Sequence, residues 1–124
     1  MKLAIAILSD PQSGSDEALG RLFNALALAH EARAAGSEVS VLFAGTGTRW
    51  PAELVKLSHP ARGLYDSVRD LVKGASCGCA EAFGAKAGVE SCGVPLLRDN
   101  PLPGTTGLAG LHGLVADGWT LLVF

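Results

Sequence analysis

Two kinds of segment alternate along the chain. Residues 3–8 form a continuous apolar run with turn residues Ser9, Asp10 and Pro11 behind it, the pattern of a strand buried on both faces. The polar stretch 9–15 leads into Asp16 and Glu17, which suit the positive end of a helix dipole. That helix is predicted to run to about Ala35 and to stop at Gly36, a favoured residue just past a helix end. Glu17 and Arg21 have i,i+4 spacing. Ala and Leu lie nearly all round the helix, which predicts cover on more than one side.

Residues 39–44 repeat the buried-strand pattern and open into Gly45-Thr46-Gly47-Thr48-Arg49-Trp50, with Pro51 placed for the first turn of a short helix. Leu64, Tyr65, Val68, Leu71 and Val72 share a helical face that Gly74 is predicted to close. Residues 75–77 read as a brief strand, 79–87 as a third helix and 94–97 as a short strand. The stretch 98–107, with Pro101, Pro103 and Gly104, is the most loop-like part of the chain. Leu108, Leu111, Leu114 and Val115 predict a last helix ending near Gly118, and 119–124 a final strand. Gly107, Gly110 and Gly113 would lie on one face of that helix. They form either a stripe for close approach by another subunit or a loop and a weak helix, since each glycine costs about 1 kcal/mol relative to alanine.

Strands separated by helices argue for βαβ units, hence an α/β fold with a parallel sheet and helices on both faces. Ligands of such sheets sit beyond the carboxyl ends of the strands. Three segments are predicted there: Ser9-Asp10, Gly45 to Arg49, and Cys77-Gly78-Cys79. With 124 residues, no internal repeat and no linker, the chain is read as one domain over 1–124.

Composition removes several functional classes. Hydrophobic residues make up 48% of the chain and charged residues 18%, against about a quarter in typical domains, so the sequence is not that of a disordered protein. Ten basic residues against twelve acidic ones give a net charge of −2, which is no footprint for nucleic acid. No apolar run approaches the roughly 18 residues of a membrane span. The apolar start ends too soon for a secretory leader, so it reads as a first strand and the location as cytoplasmic. Counted with glycine, the apolar residues other than tyrosine make 75 of 124, against about 45–50% in typical domains, and that surplus points to buried subunit interfaces.

The three cysteines, Cys77, Cys79 and Cys92, make a poor disulfide framework and read as reduced thiols. Cys79 falls at a predicted helix start, where unpaired backbone N–H groups and the dipole favour a thiolate nucleophile. Gly78 allows close backbone approach by a ligand, or a tight strand-to-helix turn. The competing reading is that cysteine packs as a small hydrophobe, which suits Cys92 beside Gly93. Zinc is disfavoured, because Cys77-x-Cys79 lacks metal-ligand spacing and His30, His59 and His112 are scattered. His112 reads as a core or interface residue. The Gly45-Thr46-Gly47-Thr48 segment matches neither nucleotide-binding fingerprint, though Arg49 beside it could hold a small anion.

The chain resembles the DsrE/DsrF/TusD-like sulfur-relay family over nearly its whole length. The resemblance rests on residues 4–11, on 43–50, on Cys79-Ala80-Glu81-Ala82-Phe83-Gly84, and on Leu114-Val115-Ala116-Asp117-Gly118 before the last strand. It implies a doubly wound three-layer sandwich with a mainly parallel, about five-stranded sheet. It also implies a homo-oligomer, trimer or hexamer, and a cysteine that carries sulfur as a persulfide between donor and acceptor proteins. Cys79 is the best match to that cysteine. Relatives with this segment often carry a second cysteine three residues earlier, where this chain has Ser76, with Cys77 as the nearby thiol that would assist. On this reading Ser9, Gly45, Thr46, Arg49 and Gly78 line the substrate pocket, and no cofactor or metal is required. The alternatives are a non-catalytic oligomeric binding module of the same fold and, further off, a metal-binding protein.

Overall fold

In the computed structural model, which describes residues 1–124, one sheet presents two unequal faces. Strand β1 (Lys2–Ile7) alternates large and small side chains, with Leu3, Ile5 and Ile7 on one face and Ala4 and Ala6 on the other. Helix α1 (Asp16–Ala34) follows, capped by Ser15, whose Oγ accepts the Ala18 N–H at 3.1 Å. The chain then turns at Gly36, φ 88°, into β2 (Glu38–Phe43). A 3-10 turn over Gly45–Arg49 leads into α2 (Trp50–Leu54), and α3 (Arg62–Val68) precedes β3 (Val72–Ser76). Helices α4 (Cys77–Ala82) and α5 (Lys86–Ser91) lead to the short β4 (Leu96–Leu97). After a long irregular segment come α6 (His112–Ala116) and β5 (Thr120–Val123).

All five strands are parallel, in the order β4-β3-β2-β1-β5. The expected α/β architecture with a five-stranded sheet is therefore present. Successive crossovers from β1 to β4 step in one direction, so α1 to α5 all pack on the face bearing Ile5, Ile7, Val41 and Phe43. The return from β4 to β5 crosses the opposite face, where Ala109 and Leu114 pack on Ala4, Ala6 and Leu42. That layer is thin. It holds one five-residue helix, the rest being irregular chain.

Several element boundaries differ from the sequence reading, each for a physical reason. The helix expected to close at Gly74 ends at Val68, and a 3-10 turn over Arg69–Leu71 leads into the strand. Gly74 lies inside β3, where a Cβ would sit 2.5 Å from the Pro95 carbonyl oxygen, so it marks close backbone approach and not a helix stop. The register shifts between Val41 and Leu42, which leaves Lys73 as an extra, exposed residue in β3. Cys77 opens a helix instead of closing a strand. The third helix is two helices, interrupted where Gly84 takes φ 67°. Gly107 and Gly110 lie outside any helix, so the three glycines form no helical stripe, and Gly107 has φ 99°.

Tyr65 is among the largest fully buried side chains of the main core, edge-on to Phe43 with ring centroids 6.4 Å apart. Its hydroxyl has no hydrogen-bond partner in the protein, and burial pushes the phenol above its ordinary pKa. Tyr65→Phe is expected to leave stability unchanged or raise it, because it deletes an unpaired polar atom and keeps the ring. Tyr65→Ala is expected to cost about 3–5 kcal/mol, as for other large aromatic truncations. Urea unfolding of the two variants checks both. A loss above about 1 kcal/mol for the phenylalanine variant would mean that the hydroxyl is bonded.

Candidate functional site at the carboxyl edge of the sheet

The carboxyl edge has a topological switch at β3 and β4. These strands are neighbours, yet the chain leaves β3 into α4 on the helical face and leaves β4 onto the thin face. A crevice opens between two such exits. Here it is flanked by the first turn of α4 and by the segment around Thr105, Thr106 and Gly107. The backbones are stitched together across it. The Gly78 N–H donates to the Gly107 carbonyl at 2.8 Å, and the Ala109 N–H donates to Ser76 Oγ at 3.0 Å. Gly78 is used by this stitch: a Cβ there would lie 2.8 Å from Leu108 Cδ1 and 3.0 Å from the Gly107 oxygen.

Cys77 and Cys79 share α4 but differ in surroundings. Cys79 is partly exposed. Cys77 is 1% exposed, and its Sγ lies 3.4 Å from Thr106 Oγ1. Thr106 Oγ1 in turn donates to Glu81 Oε2 at 3.0 Å, and Lys86 Nζ donates to Glu81 Oε1 at 3.1 Å. Proton counting orients this chain of contacts. An ionised carboxylate only accepts, so the single Thr106 hydroxyl proton goes to Glu81, and at the sulfur contact the thiol is the donor. Beside the network lies a cleft of about 300 Å³ lined by Gly78, Glu81, Ala82, Gly104, Thr105 and Thr106.

A second polar cluster ties β1 to the 3-10 turn after β2. Arg49 Nη1 pairs with Asp10 Oδ2 at 3.0 Å, its Nε donates to the Phe83 carbonyl at 3.2 Å, and its guanidinium lies 5.7 Å from the centre of the Phe83 ring. Trp50 Nε1 donates to the Ser9 carbonyl at 2.7 Å, and Ser9 Oγ donates to the Ala18 carbonyl at 3.1 Å. Thr46 Oγ1 donates to the Leu8 carbonyl at 2.9 Å. Gly47 lets this turn close on β1, since a Cβ there would fall 2.0 Å from the Ile7 oxygen. Gly45, at φ 53°, starts the turn.

The three predicted edge segments therefore do converge, with Arg49 joining the first two to the Phe83 end of α4. Their polar atoms are largely committed to neighbouring groups. Arg49, read as an anion ligand, is balanced by Asp10, and Ser9 and Thr46 bond backbone carbonyls. Sequence reasoning missed Glu81, Lys86 and Thr106. Thr106 lies 29 positions from Cys77, and the Glu81–Lys86 pair spans a helix break, so no local spacing announces either contact. His112 and His30 are exposed, so His112 is not a core residue of the chain. His59 Nδ1 accepts the Ala61 N–H at 3.1 Å in its turn. Cys92 packs against the main core. No group of three or more His, Cys, Asp or Glu side chains is placed to hold a metal ion.

Compared with protein-family models, with curated proteins and with solved structures, the chain matches none.

Hydrogen bonds from Lys86 and Thr106 hold the Glu81 carboxyl below the usual glutamate pKa. A depressed carboxylate pKa contributes stability that is present above the unfolded value and lost as pH falls through the folded one. NMR titration of the Glu81 side-chain carbon is therefore expected to give a midpoint below that of an unfolded-state glutamate. Thr106→Val should move it upward, and an unchanged midpoint in that variant would count against the Thr106 bond.

Proposed function

We propose that this chain is a sulfur carrier that holds sulfur as a persulfide on Cys79 and passes it to a partner thiol. The observation that carries the reading is a partly exposed thiol in the first turn of α4, at the carboxyl edge of a parallel sheet, with a second thiol buried two residues before it. The resemblance to the DsrE-like sulfur-relay family points the same way. In the forward step the Cys79 thiolate attacks the terminal sulfur of a donor persulfide. A sulfur–sulfur bond forms at Cys79 and the donor leaves as its thiolate. In the return step an acceptor thiolate attacks that terminal sulfur and Cys79 leaves as thiolate. Neither step needs an oxidant or reductant.

Cys77, turned towards Thr106, stands behind this exchange and not in front of it. The donor and acceptor are proteins that present a persulfide and a thiol. The reading includes a cytoplasmic location and a homo-oligomer, trimer or hexamer. Val115 and Val123, 55% and 58% exposed on the thinly covered side, favour a subunit contact there.

One observation favours a second reading, a non-catalytic binding module of the same fold. The largest cleft, about 410 Å³ and lined in part by Leu8, Ser9, Asp10 and Phe124, does not include either thiol of α4. Mass spectrometry after exposure to a low-molecular-weight persulfide separates the two. The wild-type chain is expected to gain one sulfur, Cys79→Ser to lose at least about nine-tenths of that loading, and Cys77→Ser to retain most of it. Equal loading of the Cys79→Ser variant would move the role to another thiol, and no loading of the wild type would leave the binding-module reading.

A further inference from the structure

The segment between Asn100 and Leu108 is built as a closed loop with a lightly held tip. At its base, the N–H of each of these two residues donates to the other's carbonyl at 2.9 Å. Below the base, the chain is pinned to the sheet through the Ala109 bond to Ser76 and the Gly110 N–H bond to Asp99 Oδ1 at 3.0 Å. The tip, residues 101–106, is exposed throughout. Its internal bonds are a small turn, in which the Thr105 N–H and hydroxyl both reach the Leu102 carbonyl. Pro101 and Pro103 stiffen it, and Gly104 takes φ 77°. Apart from the Gly107 N–H, which donates to Thr105 Oγ1 beside the base, its side-chain bonds to the rest of the protein run through Thr106, to Glu81 and to Cys77.

We propose that residues 101–106 are a flap, latched by Thr106 between Glu81 and Cys77, whose opening on the fixed Asn100–Leu108 base exposes the buried Cys77 thiol. The latch is asymmetric. The bond to the Glu81 carboxylate is charge-assisted and holds the flap, whereas the thiol is a weak donor that follows it. Because Glu81 lies on the exposed side of α4, the latch can break without disturbing the core. The chain thus carries a second thiol whose availability is set by a local equilibrium and not by global unfolding. This inference does not rest on the sulfur-carrier reading, since it concerns access to Cys77 and needs no sulfur donor.

The test uses the full chain with Cys79→Ser and Cys92→Ser, leaving Cys77 as the sole thiol, and iodoacetamide as the probe under native conditions. Adding Thr106→Val or Glu81→Ala is expected to speed alkylation of Cys77 by about tenfold or more, the loss of one charge-assisted bond. Thr106→Ser, which keeps the hydroxyl, is expected to restore the slow rate. Hydrogen exchange should show faster exchange in the tip, with the Asn100 and Leu108 amides as protected as before. Equal alkylation rates across the variants would overturn the latch. Faster alkylation accompanied by lost protection at Asn100, Leu108 and β1 would also overturn it, because the whole fold and not the flap would then have loosened. If the wild-type chain takes up no sulfur at Cys79 while the flap result stands, the carrier reading alone is refuted.

Discussion

The arrangement of this protein depends on how closely a stretch of irregular backbone can lie on one face of the sheet. Ala4, Ala6, Ser40, Gly74 and Ser76 leave that face with little side-chain bulk around Leu42, while Ile5, Ile7, Val41, Phe43 and Ala75 serve the other. Regular helices need roughly 10 Å of separation filled by side chains, and the bulky face supplies the filling. The small face carries only the five-residue α6 and is otherwise covered by irregular chain, close enough for the Ser76 hydroxyl to accept a backbone N–H from that segment. A buried backbone must satisfy its polar groups, and this contact together with the Asn100–Leu108 pair does so.

The site follows from that constraint. Because the return crossover hugs the sheet, its loop reaches the first turn of α4 and sets Thr106 against Cys77. Gly78 and Gly107 serve this approach, Gly78 because a Cβ there would lie 2.8 Å from Leu108 Cδ1 and Gly107 because its φ of 99° is open to glycine. The outcome is a difference between two thiols only two residues apart. Cys77 faces inward to the crossover and is sealed, whereas Cys79 retains exposure. On the other side of α4, the Asp10–Arg49 pair fixes the turn after β2 against the end of β1 and the Phe83 carbonyl. This second cluster gives the carboxyl edge rigidity, and its charges are balanced within the protein.

Much of the fold was legible in the chain. The apolar runs at β1 and β2, the acidic first turn of α1 and the glycine after it all signal locally, within a residue or so of the observed limits. The errors cluster where glycine serves a neighbouring backbone. Gly74 looked like the end of a helix but makes room for Pro95, and Gly107 looked like part of a helical stripe but meets Arg98. A glycine reports that something comes close without reporting what. At the site, Cys79, Cys77 and the glycine-rich turn after β2 were visible as residue types at a predictable edge. Glu81, Lys86 and Thr106 were not, since their meaning lies in a contact across 29 positions of chain.

Hydrophobic periodicity and turn chemistry by themselves determined an α/β chain with parallel strands and with Cys77 and Cys79 at the carboxyl edge, because those properties depend on neighbours within a few residues. The alternation of large and small residues in Leu3-Ala4-Ile5-Ala6-Ile7 even contained the asymmetry of the two faces. Only the tertiary structure decided which segment crosses the small face, which thiol it seals and which carboxylate holds it there. Those outcomes come from the right-handed sense of the crossovers and from close packing between residues distant in sequence, and neither leaves a local mark on the chain.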